Sequence, residues 1–256
     1  TGYDRAAVVG GLSAYVPGRA EEAAGLVSNG ELPQRLEGIA FSFQSKYLGM
    51  SPWQCPAAFT LLSYIEHAYG IYHPQGGLNR IPATLADVAQ EEGAELLLNS
   101  TVSRVLTRNG AARGVELEDG RTIEADDVVI NADFGYAASE LLPNDRLGRW
   151  RPDRLRKKPF SCSTFMMYLG LDREIDLPHH NIVFAKDYRS NLADIFDRKV
   201  IGDELSYYVR NATVTDPTLA PDGHSALYVL VPVPNNKSTI DWDERKEPFR
   251  ERVLDR

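Results

Sequence analysis

Residues 95–133 read ELLLNSTVSRVLTRNGAARGVELEDGRTIEADDVVINAD, a series of short apolar runs separated by turn residues. Val102 to Thr107 alternates apolar and polar side chains, as a half-buried strand does. Asn109-Gly110 is a strong hairpin signal, and Gly114 to Glu118 provides the returning strand. Because Asp119-Gly120 supplies a second turn before another short run, the stretch predicts a three-stranded antiparallel meander.

The segments on either side of this meander predict a helix and two further strands. Leu78 to Glu92 has the apolar spacing of an amphipathic helix and is ended by Gly93. Ala94 to Asn99 predicts a short apolar strand, and Asp127 to Ile130 predicts a buried strand that leads into Asn131-Ala132-Asp133. Loops at the carboxyl ends of strands bind ligands in open α/β sheets, so this loop is a candidate site. A plain meander with a polar loop is the alternative.

Before this region the sequence predicts mostly helices, and after it mostly strands. The clearest early helix opens at Ser51-Pro52, a cap and first-turn proline, and stops at Gly70. Later segments predict three strands, one intervening helix and one terminal helix: 163–171, 205–211, 225–233, 188–196 and 243–256.

The predicted fold class is mixed α/β and α+β, with a mixed or antiparallel sheet in its last part. The predicted domains are a helical segment, 1–72, part of a ligand-binding domain, 73–145, and a sheet-containing domain, 146–256.

Composition excludes several classes of protein. The 256 residues include 28 Lys and Arg against 36 Asp and Glu, a net charge of -8, which argues against nucleic-acid binding. No run of apolar residues is long enough to span a membrane, and no signal-peptide pattern is present. The two cysteines, Cys55 and Cys162, form no disulfide framework, so a cytoplasmic location is expected. Since Thr1 is first and Met50 is the first methionine, the sequence is expected to be a fragment.

Two short motifs resemble functional sites but do not meet the requirements of one. Val8 to Leu12 joins an apolar run to two glycines but lacks the third glycine of a dinucleotide-binding loop. His179-His180 predicts a loop, because neighbouring residues of an extended chain point to opposite faces and cannot easily share a metal ion. The sequence also lacks the Gly-x-Ser-x-Gly elbow that would indicate a hydrolase.

Taken in order, several segments resemble the bacterial phytoene desaturases, which are FAD-dependent carotenoid dehydrogenases within the amine-oxidase-like flavoproteins. The order and spacing of the segments carry the resemblance more than any single motif does. The matching segments are Phe41 to Ser45, His73 to Gly77, Leu98 to Val102, Val128 to Asp133, Tyr168 to Leu171, Tyr188-Arg189, Asp194 to Phe196, Leu219 to Gly223 and Tyr228 to Pro234.

The resemblance implies a two-dinucleotide-binding flavoprotein that uses FAD. Flavin would accept a hydride from an allylic C–H of a long apolar polyene while a proton leaves the neighbouring carbon. The resemblance places Val102 on the strand that offers its backbone to adenine, and it places Asn131, Ala132 and Asp133 in the loop beside the cofactor. It assigns no catalytic residue, electron acceptor or oligomeric state, and no metal ligand is expected.

The same resemblance implies an apolar tunnel for the substrate and peripheral contact with a membrane. The candidate tunnel residues are aromatic, with plain core packing as their alternative: Phe41, Phe43, Tyr47, Trp53, Phe59 and Tyr64. The family's glycine-rich phosphate loop and its closing flavin-contacting segment have no match here. We therefore expect this chain alone to bind FAD weakly or not at all and to be inactive.

Two other functions remain open on the sequence. A flavin amine oxidase, or a carotenoid dehydrogenase that acts at a later step, would share the fold. A non-catalytic lipid-binding module would use the same apolar cleft without redox chemistry.

Overall fold

A computed structural model of the protein describes residues 13–14, 45, 48–142 and 147–255. The chain divides into two compact units, which are described separately below: Thr1–Ile81 with Phe160–Arg256, and Pro82–Pro159. The three domains expected from the sequence stay a prediction.

Helices and strands occur in both units. The described strands are Ser13–Ala14 (β1), Val102–Arg108 (β2), Ala111–Leu117 (β3), Thr122–Glu124 (β4), Ser163–Leu171 (β5), His180–Val183 (β6), Tyr207–Asn211 (β7) and Ser225–Val233 (β8). The described α-helices are Thr60–Tyr69 (α1), Arg80–Glu91 (α2), Phe134–Tyr136 (α3), Pro152–Leu155 (α4), Tyr188–Ala193 (α5) and Trp242–Leu254 (α6). Shorter 3-10 turns lie at Ala57–Phe59, Gly148–Trp150, Ala212–Val214 and Pro217–Leu219, and π-helical turns at Ala137–Leu141 and Asp194–Arg198.

The first unit is built on a five-stranded sheet in the order β1-β6-β7-β8-β5. β1 runs parallel to β6, and the other neighbours are antiparallel, so the predicted mixed sheet is confirmed. The long pairing of β5 with β8 joins Ser163 to Val233 at one end and Leu171 to Ser225 at the other. Both strands were predicted with these bounds because they are rich in β-branched and aromatic residues.

One face of this sheet packs against helix α6 and forms the core. Met167, Val229 and Val231 point into this cluster, where they meet Phe249 and Val253 of the helix. Val231 is 0% exposed, and burial of such a side chain stabilises the fold by about 2 kcal/mol. Asp241 caps the start of the helix, because its carboxylate accepts hydrogen bonds from the backbone amides of Asp243 and Glu244. The predicted terminal helix is confirmed.

Of the other predicted helices of this unit, α1 agrees with the sequence at its end and α5 at its beginning. Helix α1 stops at Gly70, whose φ of 81° ends it as predicted. Its predicted start at Ser51-Pro52 is wrong, because a 3-10 turn precedes it and the α-helix begins only at Thr60. Helix α5 begins beside Asp187, which accepts a hydrogen bond from the Ser190 amide.

The second unit contains the predicted meander. β2, β3 and β4 form an antiparallel sheet in that order, joined by the turns expected from the sequence. Asn109 and Gly110 both have positive φ, 54° and 82°, as the tight hairpin turn requires. The helix α2 was also predicted, and the chain passes from the first unit to the second within its first turn.

The two strands predicted beside the meander are wrong. In the described range 48–142, residues 94–99 and 127–130 form no strand. Leu96, Leu97 and Leu98 are exposed, and Val129 is 94% exposed. An extended segment becomes a strand only when a neighbour satisfies its backbone groups, and no described strand pairs with either segment. Among the described helices, none has both the length and the apolarity that a bilayer crossing requires.

Candidate functional site

Val102, expected to contact adenine through its backbone, is the first residue of β2 and pairs with Leu117. β2 lies at the edge of the three-stranded sheet. An edge strand presents backbone N–H and C=O groups along its outer side. The structure thus places Val102 where its strand can offer backbone groups to a ligand.

All three residues of the loop Asn131-Ala132-Asp133 are exposed. The Asp133 carboxylate accepts a hydrogen bond of 2.8 Å from the Tyr136 amide and caps helix α3. The turn that follows, Ala137–Leu141, is buried and packs against β2. The four predicted cofactor residues therefore belong to one packed unit, with the loop open to solvent.

Three of the six predicted tunnel residues, Phe41, Phe43 and Tyr47, lie outside the described residues. The other three, Trp53, Phe59 and Tyr64, are exposed, so none of them packs into the described core. The Arg189 guanidinium lies 5.1 Å from the centre of the Trp53 ring, a cation–π distance. Arg189 lies on helix α5, so this contact joins that helix to the turn that contains Trp53.

A feature that the sequence did not predict is the face of the five-stranded sheet opposite helix α6, here called the open face. Cross-strand register aligns two rows of side chains on it. The first row is His180, Arg210, Tyr228 and Tyr168, and the second is Ile182, Tyr208, Leu230 and Met166.

Aromatic rings continue across the open face from strand to strand. The Tyr168 and Tyr228 rings are 6.1 Å apart, and those of Tyr228 and Tyr208 are 5.5 Å apart. Tyr168 is 78% exposed, which is unusual for a large ring at the middle of a strand. Because side chains alternate between the two faces of a strand, the sequences of β5 and β8 indicate which residues lie on one face. Only the strand register shows which of them share a row.

At one end of the open face lies a cluster of three histidines with Arg210 and Asp216. The prediction that His179 and His180 lie in a loop with their side chains apart is wrong. His180 begins β6, and the two rings stack at 4.3 Å, because His179 precedes the strand and escapes its alternation. His73, from the His73–Gly77 turn, meets the His179 ring at 5.5 Å.

The electrostatics of this cluster favour neutral His179 and His180 beside an ionised Asp216. Burial first, and then the nearby positive groups, lower the pKa of His179 to about 4, and burial also lowers the pKa of His180. The Thr218 hydroxyl first, and then the Gly76 amide and His73, hold the pKa of Asp216 at about 2. Among the described residues, no group of three or more His, Cys, Asp or Glu side chains could hold a metal ion.

Residues 17–253 match the model of the family described as flavin containing amine oxidoreductase. A 4,4'-diapophytoene desaturase (4,4'-diapolycopene-forming) of Methylomonas sp is 55% identical over 85% of this chain and 42% of its own length. A zeta-carotene-forming phytoene desaturase of Myxococcus xanthus is 45% identical over 79% of this chain and 39% of its own.

A solved oxidoreductase of Methanosarcina mazei has a TM-score of 0.58 and 19% identity over 84% of this chain and 46% of its own, which supports the fold alone. The chain thus spans less than half the length of the curated relatives described here. It belongs to the flavin containing amine oxidoreductase family.

Proposed function

We propose that the full-length protein is an FAD-dependent desaturase that removes hydrogen from a long apolar polyene precursor. The observation that carries this proposal is the 55% identity to a diapophytoene desaturase over most of the chain. Bound FAD would supply the hydride acceptor. The residues of this chain would bind the hydrocarbon, orient it and exclude water.

The open face suits a hydrocarbon ligand. Its second row contains no charged side chain, and Leu230 and Met166 extend it with flexible apolar groups. Polyenes offer no hydrogen bonds, so their affinity comes from burial of apolar area against such a surface. We assign Tyr168, Tyr228, Leu230 and Met166 as substrate-contacting residues.

The exposed aromatic residues near helix α1 are the second substrate-facing group in this proposal. Trp53, Phe59 and Tyr64 are exposed, as are Leu61 and Tyr69 on the same helix. Exposed apolar side chains on a helix also suit peripheral binding to a membrane, from which a polyene would be taken. Co-sedimentation with phosphatidylcholine vesicles should fall when Leu61 and Tyr64 are changed to Ser, and unchanged binding would contradict the membrane contact.

The second unit is proposed as part of a two-dinucleotide-binding domain. The edge strand β2 would receive the adenine through the backbone near Val102. Asn131 and Ala132 are exposed and would contact the cofactor directly. The Asp133 carboxylate already caps helix α3, so its role would be to hold the loop in place. These residues fit one end of FAD. No Gly-x-Gly-x-x-Gly loop, the pattern that binds a pyrophosphate at a helix start, occurs in the described ranges.

Two experiments test this function. The full-length protein, given diapophytoene, should convert it to a product that absorbs in the visible, and the M166A/L230A variant should raise KM. Conversion of amines instead would favour an amine oxidase, and polyene binding without flavin would favour a lipid-binding module.

FAD titration of this chain should give no tight binding, and the full-length protein should bind stoichiometric FAD. Tight binding by this chain would contradict the partial-site proposal.

A further inference from the structure

We infer that His73, His179, Arg210 and Asp216 form a proton-sensitive clamp that fastens the His73–Gly77 turn to the five-stranded sheet. The four residues come from three places in the sequence and all belong to the first unit. The inference is independent of the proposed function, because it rests only on hydrogen bonds in the cluster.

Arg210 fixes which nitrogen of each ring carries the proton. A guanidinium can only donate hydrogen bonds. Its Nη2 lies 2.8 Å from His73 Nδ1, and its Nε lies 3.1 Å from His179 Nε2. Both of these ring nitrogens must therefore be bare acceptors.

The opposite nitrogens then have the hydrogens that their partners need. His73 Nε2 donates to Asp216 Oδ2 over 3.0 Å, and His179 Nδ1 donates to the Thr215 hydroxyl over 2.6 Å. The hydrogen bonds therefore run from Asp216 through His73, Arg210 and His179 to Thr215. Neutral rings with one tautomer each satisfy all of them. The clamp is thus a single continuous network in which the guanidinium is the central donor.

Asp216 makes a second hydrogen bond to the His73–Gly77 turn. Its Oδ2 accepts a hydrogen bond of 2.6 Å from the Gly76 amide, in addition to the one from His73. Gly76 and Gly77 have φ of 83° and 92°, so the turn depends on backbone conformations that favour glycine. Because helix α2 begins shortly after this turn, the clamp fixes the chain just before it passes into the second unit.

A second proton on His179 breaks the network. It would place an N–H against the Arg210 Nε–H, so a hydrogen bond is lost and two cations face each other. The titratable and charged groups in contact with the clamp residues include His180 on β6, Tyr208 on β7 and Tyr228 on β8, besides the four clamp residues themselves.

The sign of the pH effect follows from these groups. The folded state holds the pKa of His179 at about 4, below its ordinary 6.5, so the unfolded chain takes up this proton first. The clamp is complete above pH 6.5 and weakens as pH falls towards about 4. Asp216 stays ionised over that interval because its own pKa is about 2.

The tautomers are measured by two-dimensional ¹⁵N NMR of the histidine rings at neutral pH. His73 should be protonated at Nε2 and His179 at Nδ1. Arg210→Met should release both rings to average between tautomers. Averaged tautomers in the unmodified protein, or a His73 protonated at Nδ1, would overturn the inference.

Hydrogen exchange at the Gly76 amide measures the clamp itself. Relative to its intrinsic rate, exchange should rise at least tenfold in Arg210→Met, and Arg198→Met is the matched control because Arg198 pairs with Asp194 away from the turn. His179→Gln keeps an acceptor for Arg210 but cannot titrate, so it should keep protection at neutral pH and lose the change between pH 6.5 and 4. The same pH dependence in His179→Gln as in the unmodified protein would refute the clamp, and this variant decides the question if Arg210→Met fails to fold.

Discussion

Asp216 receives more of the hydrogen bonds around the His73–Gly77 turn than any neighbouring side chain. Besides His73 and the Gly76 amide, it accepts from the Thr218 hydroxyl and amide. The Thr218 hydroxyl is the largest cause of its low pKa, about 2 in the folded protein against 3.8 ordinarily. A carboxylate with a depressed folded-state pKa stabilises the fold above pH 3.8, and this contribution is lost as pH falls through about 2.

The Asp216→Asn variant should therefore be less stable than the unmodified protein at neutral pH. Its free energy of unfolding should also change less between pH 4 and 2, because the amide cannot titrate. Urea unfolding at several pH values measures both effects. Asp222→Asn is the control, since Asp222 is exposed, and an Asp216→Asn variant that follows the control would contradict the assignment.

The contacts of Asp216 and of the stacked histidines join residues that no local sequence pattern connects. The depressed pKa of Asp216 depends on Gly76 and His73, which are far from it in the sequence. The sequence singled out His73 and its turn, but nothing local to Asp216 indicated that the two meet. His179 and His180 were judged by strand alternation, and the stacked pair arises because only the second of them lies in the strand.

At the scale of elements, the β3–β4 pair depends on Gly114. Its φ is 130°, and a Cβ at this position would collide with the Ile123 carbonyl oxygen. Gly114→Ala should destabilise the protein by the cost of the unfavourable φ, about 1–3 kcal/mol, and by the collision in addition. Gly120→Ala is the matched control, because its φ of 86° is also positive but a Cβ there would meet nothing.

Urea unfolding of the two variants separates these contributions. Gly114→Ala should lower the free energy of unfolding by at least about 1 kcal/mol more than Gly120→Ala does. Equal effects would mean that β4 moves aside without cost and that the close approach of the two strands is unimportant.

The elements that were predicted correctly are those whose signals are local. The turns at Asn109-Gly110 and Asp119-Gly120 set the meander, and the residues between them alternate in the pattern of strands. Segments 94–99 and 127–130 are also apolar in sequence. A strand, however, needs a neighbouring strand to pair with its backbone, and a short stretch of sequence does not show whether that neighbour is present. The open face needs register between strands that are distant in sequence, so its rows of side chains were out of reach.

At the scale of the whole molecule, the second unit exposes several large apolar side chains. Leu85 and Val88 on helix α2, Leu96 to Leu98 and Val129 are all exposed. Exposed large apolar side chains in this number are typical of an interaction surface. The chain spans less than half the length of its relatives. If it belongs to a protein of their length, as proposed above, we expect the rest of that protein to pack on these side chains.

This expectation gives a prediction that separates the chain from the full-length protein. Val129→Glu should leave the stability of this chain within about 0.5 kcal/mol, because the side chain is 94% exposed. In the full-length protein the same change should bury a charge, lower the melting temperature and reduce the FAD content. Val214→Glu, at an exposed position of the first unit, should leave both proteins unchanged. If Val129→Glu were neutral in the full-length protein as well, segment 127–130 would be a surface loop there, and the proposed place of loop 131–133 beside the cofactor would be contradicted.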